Sequence, residues 1–289
     1  MNRRDFLKYS AIILGQGFFS ANSVFAGEKS NQRIDANLPS YNLKLFEDSN
    51  EIFSCKVAIG KGSHGRRETP IGQGVIYEKR KSINFRYGKN YPQYNAKKGD
   101  VIKWTNTFDK NGEPKGYKMP YRDMRGLGMK IKEGEFEDST RFVIHSTTDE
   151  FTLGVPASGG CLRVGMQEML DLYKLVDNSK NSGLIDEIPI NLRYNLIDLK
   201  EGLFTFHANI YNKEFDLENQ ILSEIKNNGL KRMGIKSDAI AEEYSGLKNN
   251  FKKAQDEILR TLEKGFPNNF LSEELKGQLH RVFPIEDFI

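Results

Sequence analysis

Apolar and polar residues alternate along much of the chain, and this period of two constrains the fold more than any other feature. Residues 41–45 and 53–59 each place their apolar side chains on one face, and a polar turn at 47–50 separates the two runs. A period of two is typical of a strand with one buried face, and two such runs joined by a short turn are typical of a β-hairpin. The alternation therefore predicts a mainly β domain over residues 41–211.

Helical spacing interrupts the β pattern once within this domain. Apolar residues recur at intervals of three and four within residues 165–176, which is the period of an amphipathic helix. The alternation then resumes at residues 188–194, and a Lys-Glu-Gly turn at 200–202 indicates a last hairpin. The predicted fold is therefore mainly β with one inserted helix.

After residue 211 the pattern changes to that of helices. Asp216, Ser237 and Ser272 stand where helix-capping residues belong. A narrow apolar seam with 4-3-4-3-4-4 spacing follows the second of them: Ile240, Tyr244, Leu247, Phe251, Ala254, Ile258 and Leu262. The seam predicts an α-helical C-terminal extension over residues 212–289 that packs on the β domain or on itself. The alternative is an arm for self-association or partner docking through these helices.

The N-terminus has the three parts of an export signal. Arg3 and Arg4 form a basic head, residues 11–14 form a short apolar run, and Val24-Phe25-Ala26 is similar to a cleavage site. The stretch from Arg3 to Lys8 resembles the twin-arginine export motif. Residues 1–26 are therefore predicted to direct export to the periplasm or cell envelope, and the polar residues 27–40 are predicted to form a linker. A general secretory signal or an uncleaved anchor is the alternative.

The composition excludes several classes of protein. The chain has 43 Lys and Arg against 39 Asp and Glu, and this net charge of +4 is too small to indicate a nucleic-acid partner. Two cysteines exclude a disulfide-dense scaffold and an all-cysteine zinc site, and four scattered histidines argue against a His-rich metal site. A mean hydropathy of −0.60 excludes a protein with many membrane spans. Cys55 lies among apolar residues of a predicted strand, which favours a buried packing role.

His145 and Cys161 are the residues that most indicate chemistry. The histidine ends an apolar strand, and fifteen residues separate it from a cysteine preceded by Gly159 and Gly160. A cysteine nucleophile needs a base within hydrogen-bond reach and N–H donors for the oxyanion that it creates. Glycines before the nucleophile allow the tight backbone turn that such donors require. This arrangement predicts a nucleophilic Cys161 with His145 as its base.

The segment from His145 to Arg163 resembles the L,D-transpeptidase catalytic-domain family, which has the YkuD-type fold. That family has a histidine, a spacer of about fifteen residues, and Ser/Thr-His-Gly-Cys followed by an apolar residue and Asn or Arg. Matching positions in this chain are Ser158, Gly160, Cys161, Leu162 and Arg163. Thr69-Pro70-Ile71-Gly72 and Met119-Pro120-Tyr121 are similar to further family segments, the second to its active-site lid. The resemblance covers residues 41–211 and implies an L,D-transpeptidase-like β-sandwich.

The resemblance also implies a reaction and a role for each matched residue. Cys161 would attack an amide carbonyl of a peptidoglycan stem peptide, release the terminal D-alanine and pass the acyl group to an amine, with no cofactor. His145 would be the general base, oriented by the backbone carbonyl of Ser146, and the Gly160 N–H would hold the oxyanion. Substrate-binding roles would fall to Met119, Tyr121, Ser158 and Arg163.

One position departs from the family pattern. The family usually has a histidine two residues before the cysteine, where this chain has Gly159. Three functions therefore stay open: an L,D-transpeptidase that cross-links peptidoglycan or attaches a protein to it, an L,D-carboxypeptidase that trims tetrapeptide stems, and a non-catalytic peptidoglycan-binding module.

Overall fold

A computed structural model gives the fold of this chain. The residues it describes are 32–63, 67–83, 90, 92, 95, 97–101, 104–108, 114–120, 124–134, 136–176, 184–227, 237–264 and 271–285. The predicted export signal lies outside these residues. Among the helices of the described part, none combines the length and apolar character needed to cross a membrane.

The described residues form fourteen strands and four α-helices. In chain order the strands are β1 (Gln32–Asn37), β2 (Asn42–Glu47), β3 (Asn50–Gly60), β4 (Gly72–Arg80), β5 (Trp104–Phe108), β6 (Pro114–Pro120), β7 (Gly126–Ile131), β8 (Val143–Ser146), β9 (Pro156–Ser158), β10 (Leu162–Val164), β11 (Leu184–Arg193), β12 (Ile197–Lys200), β13 (Leu203–His207) and β14 (His280–Pro284). The helices are α1 (Met166–Leu175), α2 (Leu217–Asn227), α3 (Ser237–Glu263) and α4 (Glu273–Gly277).

Nine strands form the main sheet, in the order β10-β8-β7-β4-β11-β1-β2-β3-β9. Strand β10 also pairs with β3, so the sheet closes on itself. Alternate side chains of these strands point inward and are almost fully buried, as Ile34, Leu43, Ile76, Leu127 and Ile190 illustrate. Burying each contributes roughly 1.5–3 kcal/mol to folding. The chain is strand-rich as predicted, while the division of this closed sheet into the two layers of a sandwich stays a prediction.

The structure corrects the linker that was predicted for residues 27–40. From residue 32 onward the chain is part of the fold, because β1 lies inside the main sheet between β2 and β11. Ile34, Ala36 and Leu38 are completely buried there. Arg33 and Asp35 alternate with these buried residues and lie on the outer face of the strand.

Both predicted hairpins are present. Strands β2 and β3 pair antiparallel around a turn in which Asp48 has a positive φ. Strands β12 and β13 pair antiparallel around Glu201 and Gly202, which both have a positive φ. Two consecutive positive φ values are the signature of the turn whose twist matches that of a hairpin, and a glycine adopts this conformation without strain.

The helices also form where the sequence predicts them. Helix α1 is the inserted helix of the β domain, and the Asp216 carboxylate accepts a hydrogen bond from the Asn219 N–H at the start of α2. The seam of α3 is buried, with Ile240, Ala254 and Ile258 no more than 1% exposed. Because the seam packs within the chain, the extension is continuous with the core of the β domain.

The last part of the chain differs from the prediction of a purely helical extension. Ser272 caps α4 as expected, since its Oγ accepts a hydrogen bond from the Leu275 N–H. However, α4 is only five residues long, and residues 280–284 then form β14, which pairs antiparallel with β13. The extension therefore contributes a strand to the three-stranded sheet β12-β13-β14.

Candidate active site

Two neighbouring parallel strands bring the predicted nucleophile and base together. In the pairing of β8 with β10, His145 lies opposite Arg163, and Leu162 lies opposite Ile144. Paired residues point to the same face of a sheet and successive residues point to opposite faces. Because Cys161 directly precedes Leu162, it shares a face with Arg163 and with His145 on the adjacent strand. The opposite face, with Ile144 and Leu162, is completely buried in the core.

The His145 ring is held by the backbone of its neighbour. Its Nδ1 lies 2.8 Å from the carbonyl oxygen of Ser146. A carbonyl only accepts hydrogen bonds, so Nδ1 carries the proton and Nε2 presents the lone pair. Burial, the largest cause, and the Arg163 charge together lower the pKa of His145 to about 4, although the hydrogen bond to the Ser146 carbonyl opposes this shift. At neutral pH the imidazole is therefore uncharged and able to accept a proton.

Cys161 is a free thiol in a half-buried position. It packs against the small apolar cluster of Ile83, Met124 and Val143. Burial raises the pKa of its thiol, while a backbone hydrogen bond from Val143 and the charges of Arg163 and Arg80 oppose that rise. The resting pair therefore consists of a neutral thiol and a neutral imidazole. Such a pair suits general-base catalysis, in which the proton moves as the sulfur attacks.

The loop before Cys161 is shaped by its own hydrogen bonds. The Ser158 Oγ donates to the carbonyl of Cys161 at 2.6 Å and accepts from the Gly160 N–H at 3.0 Å. Gly160 has a φ of +120°, and a Cβ there would lie 2.9 Å from the Phe142 ring, so only glycine fits. Two expectations change as a result. Ser158 is 1% exposed and supports the loop, and the Gly160 N–H is already engaged rather than directed at an oxyanion.

Arg163 has an acidic partner that the sequence did not single out. Its Nη1 lies 3.8 Å from Asp149 Oδ2, and each side chain is about one fifth exposed. The other oxygen of this carboxylate, Oδ1, is buried without a hydrogen-bond partner among the described residues. Burial raises the Asp149 pKa, and the Arg163 charge opposes this rise. The pair places a cation and a carboxylate beside His145.

Arg80 is a second cation near Cys161 that sequence reasoning missed. It ends β4 opposite Gly126 of β7, which in turn lies opposite His145 of β8. Its guanidinium bonds Glu78 at 2.8 Å and the Tyr77 hydroxyl at 3.2 Å. In the sequence it is one charge among several at the end of a predicted strand. Only the pairing of the strands reveals that Arg80 lies in the same row across the sheet as His145.

The structure describes Met119 and Cys55 but not Tyr121. Met119 lies in β6 opposite Thr105 of β5, in a separate two-stranded ribbon, and Tyr121 lies outside the described residues. Within the described ranges, no group of three His, Cys, Asp or Glu side chains is arranged to hold a metal ion. Cys55 is 9% exposed, and burial raises its thiol pKa to about 12, which agrees with a packing role.

Comparisons with known proteins give the family. Residues 31–190 match the YkuD family, described as the L,D-transpeptidase catalytic domain. No curated protein matches the chain.

Among solved structures, one similar chain is a mutant L,D-transpeptidase from Enterococcus faecium, at 14% identity and a TM-score of 0.34, covering 57% of this chain and 50% of that one. An L,D-transpeptidase from Mycobacterium smegmatis is 14% identical, with a TM-score of 0.34 and coverage of 57% and 59%. Another, from Mycobacterium tuberculosis H37Rv, is 13% identical, with a TM-score of 0.35 and coverage of 57% and 58%.

This chain spans less than two thirds of the length of these three structures. The family match, by contrast, extends over more than half of this chain and includes both His145 and Cys161. The chain therefore belongs to the L,D-transpeptidase catalytic domain family.

Proposed function

We propose that this protein is an exported cysteine L,D-transpeptidase that acts on peptidoglycan stem peptides. The observation that carries the proposal is the register of β8 and β10, which puts Cys161 and His145 on one face while Ser146 holds the imidazole. A thiol, a base in the correct tautomer and a turn of small residues are the parts that acyl transfer through a cysteine requires. The family match supports the same reaction class.

In the first half-reaction, His145 Nε2 takes the proton of the Cys161 thiol as the sulfur attacks the amide carbonyl that precedes the terminal D-alanine. The C–N bond breaks, and the imidazolium returns the proton to the departing amine. A thioester on Cys161 and free D-alanine are the products. Since the Gly160 N–H donates to Ser158, the backbone N–H of Cys161 is the proposed oxyanion donor.

In the second half-reaction, an amine of another stem peptide attacks the thioester carbonyl. His145 accepts a proton from the amine nitrogen and returns it to the leaving sulfur, which restores the neutral pair. Arg163 and Arg80 lie in one row across the sheet with His145 between them, so each is a candidate cation for a stem carboxylate. The Asp149 carboxylate partly offsets the Arg163 charge, which by itself disfavours the imidazolium.

The proposed location is the periplasm or cell envelope, because a peptidoglycan substrate lies outside the cytoplasm. The support is the basic head, apolar run and cleavage-like site of residues 1–26, with the paired arginines favouring the twin-arginine route. We further propose that the enzyme works as a single chain. The apolar seam of α3 is buried against the rest of the molecule, which leaves it unavailable for self-association.

The test is a product assay on residues 27–289 with a disaccharide-tetrapeptide substrate, analysed by mass spectrometry. Cross-linked dimers are expected for a transpeptidase, whereas tripeptide with free D-alanine would identify an L,D-carboxypeptidase. Cys161→Ala is expected to abolish turnover because it removes the nucleophile, and Cys55→Ala serves as the matched control that retains it. If the wild-type chain yields neither product, both enzymatic functions fail and a peptidoglycan-binding module is left.

A further inference from the structure

A second concave site lies away from the catalytic pair, between α3 and the segment that follows β13. The cavity has a volume of about 840 Å³, and we name it the tail groove. Its described lining comprises Asn209, Asn212, Lys213, Glu214, Phe215, Tyr244, Lys248, Phe251, Lys252, Gln255 and Asp256. A groove of this size can hold several sugar or amino-acid units.

One wall of the tail groove is aromatic. The rings of Phe215 and Tyr244 meet edge to face with their centroids 5.2 Å apart, and both side chains are half-buried. Gln255 lines the same groove, and its Nε2 donates a hydrogen bond to the carbonyl oxygen of Ile210 at 2.7 Å. Partly exposed aromatic rings offer an apolar surface next to polar groups. A sugar ring has the matching character, with C–H faces and a hydroxyl rim.

The same helix face also carries cations, because Lys248 and Lys252 follow Tyr244 at four-residue intervals on α3. Lys248 and Lys252 lie one helical turn apart on α3, and both are exposed. Neither has an ion-pair partner within the part of the chain that the structure describes. Glu214 and Asp256 also line the tail groove, so its charge is mixed rather than uniformly positive. This helix face suits a ligand with spaced carboxylates better than a densely charged polyanion.

The tail groove is connected to the catalytic loop. Lys213, at one end of the groove, pairs with the Glu68 carboxylate at 2.6 Å. The backbone carbonyl of Glu68 lies 3.1 Å from the position that a Cβ on Gly160 would take. Glu68 therefore lies between Lys213, which lines the groove, and the turn before Cys161.

We propose that the tail groove binds a peptidoglycan strand, with sugar rings against Phe215 and Tyr244 and stem carboxylates at Lys248 and Lys252. A stem of the bound strand would then enter the Cys161 site, so the C-terminal extension determines the preference for polymeric over soluble substrate. This inference rests on the proposed function for the identity of the polymer. It assigns the binding surface to residues outside the catalytic domain.

The experiment compares Lys248→Gln/Lys252→Gln with the wild-type full chain and with a charge-matched control, Lys253→Gln/Lys264→Gln. Lys253 lies on the same helix and Lys264 directly follows its last residue; both are exposed, and neither lines the tail groove. Sedimentation with purified peptidoglycan sacculi measures binding, and turnover of soluble disaccharide-tetrapeptide measures the catalytic site. The groove variant is expected to lose about five- to tenfold in sacculus affinity. The control variant should bind as wild type does, and soluble turnover should stay within about twofold for both variants.

Three outcomes would overturn the proposal. The groove variant could bind sacculi as tightly as wild type, the control variant could lose as much affinity as the groove variant, or poly-glutamate could displace the protein as well as peptidoglycan fragments do. The last result would indicate a general preference for carboxylates. Sacculus binding that depends on Lys248 and Lys252, without turnover of any substrate, would support the tail groove while contradicting the proposed transpeptidase activity.

Discussion

Gly159 and Gly160 are adjacent glycines with different physical constraints. A Cβ built on Gly159 meets no heavy atom within 4 Å, whereas one on Gly160 meets the Phe142 ring at 2.9 Å and the Glu68 carbonyl at 3.1 Å. Gly160 also has a φ of +120°, which side chains disfavour. The Cβ of the histidine that the family usually has at the first position would therefore meet no neighbour in this chain. Its absence reflects sequence divergence rather than a clash.

We expect Gly159→His to fold with a stability within about 1 kcal/mol of wild type, because the new side chain enters open space. The matched control is Gly160→His, which should lose about 2 kcal/mol or more through backbone strain and contact with Phe142. Urea unfolding followed by circular dichroism measures both. Equal losses in the two variants would show that the space beside Gly159 is not open.

The proposed catalytic pair stands out in the sequence, but its surroundings do not. His145 and Cys161 are revealed by their spacing and by the glycines between them, since few packing roles need that pattern. Asp149 and Arg80 give no comparable signal, because each is one charged residue among several in its segment. They join the site through strand register and loop folding, which depend on pairings between distant parts of the chain. Ser158 was assigned to substrate, and only the structure shows that its hydroxyl is used within the loop.

At the scale of elements, local periodicity predicted the hairpins and helices but not strands that depend on distant partners. Strand β1 was assigned to a linker because its polar residues dominate, and its pairing with β11 joins segments more than 150 residues apart. Strand β14 follows a short helix, and its pairing with β13 joins residues 203–207 to residues 280–284, which are also far apart in the sequence. Tertiary pairing stabilises such short segments, so their own sequence contains little evidence of it.

The pairing of β13 with β14 brings two histidines into contact beside an aspartate. His207 Nε2 lies 2.9 Å from Asp198 Oδ2, and its Nδ1 lies 2.9 Å from His280 Nδ1. The carboxylate accepts, so a neutral His207 carries its proton on Nε2 and accepts a hydrogen bond from His280 at Nδ1. His280 therefore carries a proton on Nδ1, which its neutral ring can supply. Burial, the largest cause, together with the neighbouring His207 and Lys56, lowers the His280 pKa to about 3, and the Asp198 carboxylate opposes this shift.

The contact between His207 and His280 predicts that the protein loses stability in acid. The folded-state pKa of His280 lies below its unfolded value of about 6.5, so its contribution is complete above that value and declines as the pH falls towards 3. The decline is at most about 1.4 kcal/mol per pH unit. His280→Asn keeps a nitrogen near Nδ1 but does not titrate, so its unfolding free energy should depend less steeply on pH between about 6 and 4. Urea unfolding over this range measures the slopes, and parallel curves for the two proteins would contradict the assignment.

At the scale of the whole molecule, the C-terminal extension is joined to the site through a chain of contacts. Gln255 of α3 bonds the Ile210 carbonyl at 2.7 Å, and the next residue, Tyr211, is buried. The Tyr211 hydroxyl donates to the carbonyl of Gly60 at 2.8 Å and accepts from the Thr69 N–H at 3.1 Å. Thr69 directly follows Glu68, whose carbonyl packs against Gly160. The extension thus supports the segment with Glu68 and Thr69, which borders the turn before Cys161.

The same extension also covers core side chains of the β domain. Phe206 of β13 is completely buried, and its ring meets those of Phe283 in β14 at 5.6 Å and Tyr244 in α3 at 6.3 Å. Removing the extension would expose Phe206 and the equally buried Phe204 and leave one edge of β13 unpaired. Exposing a buried aromatic side chain typically costs several kcal/mol, which is comparable to the whole stability of a domain.

We therefore expect residues 27–211 alone to lose cooperative thermal unfolding and to lose turnover of soluble disaccharide-tetrapeptide. The control is the full chain with Lys248→Gln/Lys252→Gln, which alters the exposed surface of the extension but keeps its packing. Circular dichroism melting and the product assay give the two readouts, and light scattering of the full chain should give the mass of one chain, because the α3 seam is buried internally. A truncated protein that melts and turns over substrate as the full chain does would show that the β domain is independent. In that case the extension would serve binding alone.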